Sequence, residues 1–91
     1  MVKVPLSKIW PLPGLVRAAR GLAGIDQSAL AKRAGVSRHA VMAIEGDKND
    51  AMDDRRVEVL GKLQSTLEKE FGIEFQKATK KAGVGVRFKK P

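Results

Sequence analysis

QSALAKRAGVSRHAVMAIEG, residues 27–46, meets the requirements of two short crossing helices within twenty residues. Asp26 precedes it, and its carboxylate can accept the free backbone N–H groups of a first turn, so a helix is predicted from there through Ala34. The capping box is incomplete, because Ala29 stands where Glu or Gln would reach back. Gly35 and Val36 form a tight connection, Ser37 caps a second helix running to about Ile44 or Glu45, and Gly46 ends it. Two helices joined so tightly cross at a steep angle. That requires a small residue at the crossing, a glycine able to take positive φ in the turn, and apolar inner faces. Ala31 supplies the first and Gly35 the second, while Leu30, Ala34, Val36, Val41 and Ile44 supply the third.

Toward the N-terminus, Val16, Ala19 and Ala23 recur at helical spacing, predicting a helix over about Pro13 to Ala23 with Gly24 as its stop. MVKVPLSKIWPLPG, residues 1–14, contains every proline but Pro91 and reads as an extended arm rather than a helix, with Trp10 packed on the domain. Toward the C-terminus, the polar stretch Asp47 to Asp53 reads as a loop. Asp53 or Asp54 then starts a fourth helix with the stripe Val57, Leu60, Leu63, Leu67, Phe71, stopped by Gly72. Beyond it the apolar period falls from 3.6 to 2. Ile73 and Phe75, then Val84, Val86 and Phe88, predict a β-hairpin closed by a basic loop from Gln76 to Gly83. The expected architecture is mainly α, four helices with a short C-terminal β-hairpin. It divides into an extended arm (1–12), a helical domain (13–72), and a hairpin with a basic tail (73–91).

Bulk composition narrows the chemistry. Ninety-one residues allow one small core. The absence of cysteine removes disulfides, thiolate metal sites and cysteine nucleophiles, and a single histidine, His39, cannot form a histidine metal cluster. No metal or other cofactor is expected. No apolar run approaches the length of a membrane span, and the segment Val4 to Val16 is broken by Pro5, Pro11 and Pro13, so a cytoplasmic protein is expected. Net charge is +8, which favours a polyanionic partner. Its distribution is uneven: residues 1–25 carry +4, residues 26–47 carry 0, residues 48–75 carry −2 and residues 76–91 carry +6. No single helix sets basic residues against bulky apolar ones, as a membrane-surface helix would, so nucleic acid is the preferred partner.

The run Leu30 to Ser37 (LAKRAGVS), the closing Ile44-Glu45-Gly46 and the helical pattern from residue 15 resemble the Cro/repressor-type helix-turn-helix regulators, the Xre family. The likeness is loose through the fourth helix, and the ending GIEF (72–75) with GVGVRF (83–88) is similar to a tail on some small family members. Trp10 and the proline-rich arm lie outside the pattern. The resemblance implies a non-enzymatic, sequence-specific regulator, a repressor that binds double-stranded DNA at an inverted repeat as a homodimer. It implies that the third helix enters the major groove with Arg38, His39, Met42 and Ala43 outward. Arg38 could donate two hydrogen bonds to a guanine. His39 could read a base, touch phosphate or stand free. Gln27, Arg33, Ser37 and Lys48 are the implied phosphate contacts, whereas Asp26 would repel a nearby phosphate and so must face aside. Arg20 and Glu45 match a pair that ties the first helix to the end of the third.

Two alternatives remain open from sequence. A lone hairpin is barely stable in water, so the apolar face Ile73, Phe75, Val84, Val86, Phe88 must be covered, either by a second subunit, the preferred arrangement, or by the chain's own helices. The neutral segment 26–47 also allows the same scaffold to bind another regulatory protein, as an antitoxin or anti-activator does. An enzyme is disfavoured: no Ser–His–Asp constellation or glycine-rich phosphate loop is present. Lys3, Lys8 and the cluster Lys77, Lys80, Lys81, Lys89, Lys90 follow a nucleic-acid backbone, insert in a minor groove, or only solubilise the ends.

Overall fold

The computed structural model describes residues 2–89, so Lys90 of the basic tail lies outside the described residues. The chain folds as β1 (Lys3–Pro5), a 3-10 turn at Leu6–Lys8, α1 (Pro13–Ala23), α2 (Gln27–Ala34), α3 (Arg38–Glu45), β2 (Ala51–Asp53), α4 (Asp54–Phe71), β3 (Ile73–Gln76) and β4 (Gly85–Phe88).

Local chemistry sets the helix limits. Asp26, Ser37 and Asp53 each lie in extended backbone and accept a hydrogen bond from the amide three residues on, those of Ala29, Ala40 and Arg56, so α2, α3 and α4 each begin on a side-chain cap. At the end of α2, Gly35 takes φ of 72°, its N–H and that of Val36 returning to the carbonyls of the last turn. That left-handed geometry lets α3 leave at once in a new direction. Gly46 closes α3 by another means: its φ is −91°, and a Cβ there would lie 3.2 Å from the Met42 carbonyl oxygen.

One core joins all the elements. Val16 and Ala19 of α1, Leu30 and Ala31 of α2, Val41 and Ile44 of α3, and Leu60, Leu63 and Leu67 of α4 are buried together. Ala31 is buried in this core, with Ala34 and Val36 half-buried beside it. On α4, Val57 and Phe71 flank the buried stripe as partly exposed residues.

The ends depart from the expected three segments. Residues 1–12 are not a free arm. β1 pairs antiparallel with β2, Val4 opposite Met52, and backbone bonds from Leu6 N–H to the Asp50 carbonyl (2.7 Å) and from Asp54 N–H to the Val2 carbonyl (3.1 Å) close both sides of the ribbon. Ile9, Pro11 and Pro13 are buried. The physical reason is the apolar content of the segment: Ile9 is buried in the core with Met52, and Val4 and Trp10 pack against it, while Val2 and Leu6 stay exposed. The expected loop 47–53 accordingly contains a strand, and its turn is held by Asp47, which accepts from Asn49 N–H and pairs with Arg56 at 3.1 Å.

The C-terminal hairpin forms as expected, Ile73 opposite Phe88 and Phe75 opposite Val86. Opposed residues share a face, and the chain's own α1 and α4 pack against that hairpin. Ile73 and Phe75 are buried in the common core, which corrects their assignment to a subunit contact. Val86 is half-buried, and Val84 and Phe88 are left 42% and 52% exposed. On the other face Arg87 and Glu74 pair at 2.7 Å.

Two glycine substitutions separate backbone requirement from backbone cost. Gly61 lies inside α4 with open space at its Cβ position, so Gly61→Ala is expected to raise stability by about 0.5–1 kcal/mol. Gly35→Ala forces an L side chain into a left-handed turn and is expected to lower stability by about 1–2 kcal/mol. Urea denaturation of the two variants measures both changes against wild type.

Candidate functional site

α3 is amphipathic, so its buried face dictates what it exposes. With Val41 and Ile44 in the core, Arg38, His39 and Met42 are exposed and Ala43 is half-buried. Arg38 and Met42, one turn apart, form a ridge of which Met42 keeps 44% of its surface open.

The C-terminal end of this helix is fixed by charge. Arg20 Nε donates to Glu45 Oε2 at 2.9 Å and Arg20 Nη2 donates to Oε1 at 3.1 Å, a bidentate fork across α1 and α3. Arg20 Nη1 also donates to the Ile25 carbonyl at 3.1 Å. Gln27 Nε2 donates to Glu45 Oε1 at 3.2 Å, so one carboxylate on α3 joins α1 and α2, while Arg20 ties in the α1–α2 turn. The two side chains are 18% and 5% exposed. The Arg20 guanidinium is held above the ordinary arginine value, first by its hydrogen bond to Glu45 and then by the charges of Glu45 and Asp26, with burial opposing. Because the folded value lies above the unfolded one, this stabilisation is complete below the ordinary arginine value and is lost only as pH rises through the folded value. The pair therefore keeps its cation through the neutral range.

Two open clefts border this network. One of about 410 Å³ is lined by Arg17, Arg20, Gln27, Met42, Glu45 and Gly46. The other, about 210 Å³, is lined by Arg20, Asp26, Gln27, Ser28 and Arg38. Gln27 stands between them. One of its amide hydrogens is engaged by Glu45, which fixes the side chain and leaves the second to point elsewhere. Arg38, Met42 and Gln27 are thus brought to one surface, and Asp26 borders it while its carboxylate is occupied in capping α2.

Other assigned residues are not gathered there. Arg33 lies away from these clefts and pairs with Glu70 at 3.1 Å, where the last turn of α2 runs beside α4. Lys48 lines a separate, largely apolar cleft of about 290 Å³ with Leu12, Leu15 and Asn49. Ser37 accepts the Ala40 N–H as a cap at 3.0 Å, leaving its hydroxyl hydrogen available to an external acceptor. Conversely, the sequence assignment omitted Arg17 and Ser28. Arg17 lies three residues before Arg20 on α1, and residues three apart share a helix face, so the Arg20–Glu45 match already implied its position. Among the described residues every ion pair uses an arginine, namely Arg20, Arg33, Arg56 or Arg87, leaving Arg17, Arg38 and Arg55 without a carboxylate partner.

No group of His, Asp and Glu side chains among the described residues could hold a metal ion, and no described helix is long and apolar enough to cross a membrane. Comparison with family models, curated proteins and solved structures finds no match to the chain.

Removing one half of the pair exposes its energetic role. Arg20→Met leaves the Glu45 carboxylate shielded without its cation and is expected to destabilise by about 3 kcal/mol. Arg20→Met with Glu45→Met removes the orphan charge and is expected to recover most of that loss. Thermal and urea unfolding of the two single variants and the double variant forms the required cycle.

Proposed function

We propose that the chain is a sequence-specific DNA-binding transcriptional regulator of the Cro/repressor helix-turn-helix type, with α2 and α3 as the motif and α3 as its reading helix. The observation that carries this reading is the Glu45 network. It fixes the angle of α3 on α1 and holds Gln27 beside an unpaired, exposed Arg38. A rigidly placed guanidinium can discriminate guanine through O6 and N7, and a fixed amide at the start of α2 can donate to a phosphate oxygen and set the register. Arg17, on the same surface, adds a further cation for the backbone. Occupying promoter DNA in this way represses transcription.

The protein acts as a homodimer on an inverted repeat with half-sites about 34–36 Å apart. With Ile73 and Phe75 committed to the core, the exposed tail residue Phe88 is the candidate subunit contact. The alternative use of the scaffold, as an antitoxin or anti-activator that binds protein through α3, draws on Met42, whose exposed apolar side chain suits a protein surface as well as a thymine methyl group.

Selection of bound sequences from a random duplex pool is expected to return a palindrome. Gel-shift titration on that sequence should then weaken about ten-fold or more with Arg38→Ala, matching the roughly 1–3 kcal/mol of one bidentate base contact, while binding to random duplex changes little. Equal affinity of Arg38→Ala and wild type for the selected sequence would remove α3 from base reading. Sedimentation equilibrium is expected to give a dimer for wild type and a monomer for Phe88→Asp.

A further inference from the structure

The groove between the N-terminal segment and the hairpin is lined by none of the residues that border the Gln27 clefts. It measures about 480 Å³, and its walls include Leu6, Trp10, Leu12 and Val84 with Lys8 and Lys77. The two lysines lie 69 positions apart in sequence and come from the two cationic ends of the chain. Neither has a carboxylate partner among the described residues, and no acidic side chain lines the groove. Lys77 Nζ lies 5.6 Å from the centre of the Trp10 ring, over its face.

The adjoining loop has a defined turn. Thr79 N–H donates to the Ala82 carbonyl at 2.7 Å, and the Lys81 and Ala82 amides donate to Thr79 Oγ1 at 3.3 and 3.1 Å. Lys80 and Lys81 are therefore presented, exposed, from a hydrogen-bonded turn beside the groove. Apolar side chains and lysines thus line the groove together. Duplex phosphates would match the lysines but gain nothing from Leu6, Leu12 or Val84, and the ammonium over Trp10 occupies the ring face on which an unpaired base would stack. A peptide carrying both carboxylates and large apolar side chains matches both.

We propose that this groove is a docking site for an acidic, apolar-rich segment of a partner protein. The apolar side chains of that segment lie against Leu6, Leu12 and Val84, and its carboxylates meet Lys8, Lys77 and the lysines of the loop. The site is separate from α3, so the protein can hold this segment and α3's own ligand at once.

Trp10 is the only tryptophan and reports directly on the groove. The full chain is titrated with a synthetic twelve-residue peptide alternating Glu with Leu and Phe, and with its counterpart in which every Glu is Lys. A saturable change in Trp10 emission is expected with the acidic peptide and none with the basic one. Isothermal calorimetry should give at least ten-fold weaker binding to Lys8→Glu/Lys77→Glu, whose thermal midpoint stays near that of wild type, and unchanged binding to Arg38→Ala. Absence of a saturable change, or equal affinity in the charge-reversed variant, overturns the proposal. So does displacement of the peptide by random duplex DNA equally in wild type and Arg38→Ala, which would assign the groove to nucleic acid. Because Arg38→Ala alters the proposed DNA reading and not this groove, failure of one inference leaves the other distinguishable.

Discussion

The carboxylate of Glu45 is the constraint on which the arrangement of the first three helices depends. Three nitrogens from two other helices converge on its two oxygens. A short helix such as α3, eight residues long, has too little buried surface to define its own rotation and tilt by packing alone, since helices of this length are marginal without tertiary support. Val41 and Ile44 choose which face turns inward. The fork from Arg20 fixes the direction in which the helix points, because a planar guanidinium meets a carboxylate in one geometry where an ammonium accepts many. Partial burial offsets much of the Coulomb energy in such pairs, so its worth lies as much in orientation as in stability.

Around that junction the chain is assembled without detachable parts. The N-terminal segment is stitched to the strand before α4 on both sides, and the hairpin contributes Ile73 and Phe75 to the same core as Leu30 and Leu63. The uneven charge of the sequence acquires a spatial meaning from this. The neutral segment becomes the surface of Arg38 and Gln27, where individual side chains are held in place, whereas the basic ends converge at another surface, with Lys8 and Lys77 lining one groove.

Much of this was legible because it is local. Asp26, Ser37 and Asp53 cap helices through bonds spanning three residues, and Gly35 ends one by its own φ, so helix limits follow from short stretches of sequence. The period of two in 73–88 announced the hairpin but could not say what would cover it, because that depends on how α1 and α4 come together. Ala51–Asp53 carried no strand signal: three residues ending in aspartate have no readable alternation, and their pairing partner lies some fifty positions away. Arg33 and Lys48 were placed by position along a motif, yet α4 supplied a carboxylate to the first, and the fold of Leu12 and Leu15 drew the second to another cleft. Arg17 was missed for the opposite reason, since its importance comes from a neighbour one turn further along its own helix.

The pairing of Lys3–Pro5 with Ala51–Asp53 also has a temporal side. During synthesis at roughly 5–20 residues per second, several seconds separate the emergence of β1 from that of β2. Through that interval Val4, Ile9 and Trp10 leave the ribosome with no surface to bury them, while α1, α2 and α3, whose contacts are close in sequence, can already form. The N-terminal segment is thus made well before the strand it pairs with, and it is among the last parts of this fold to find its place.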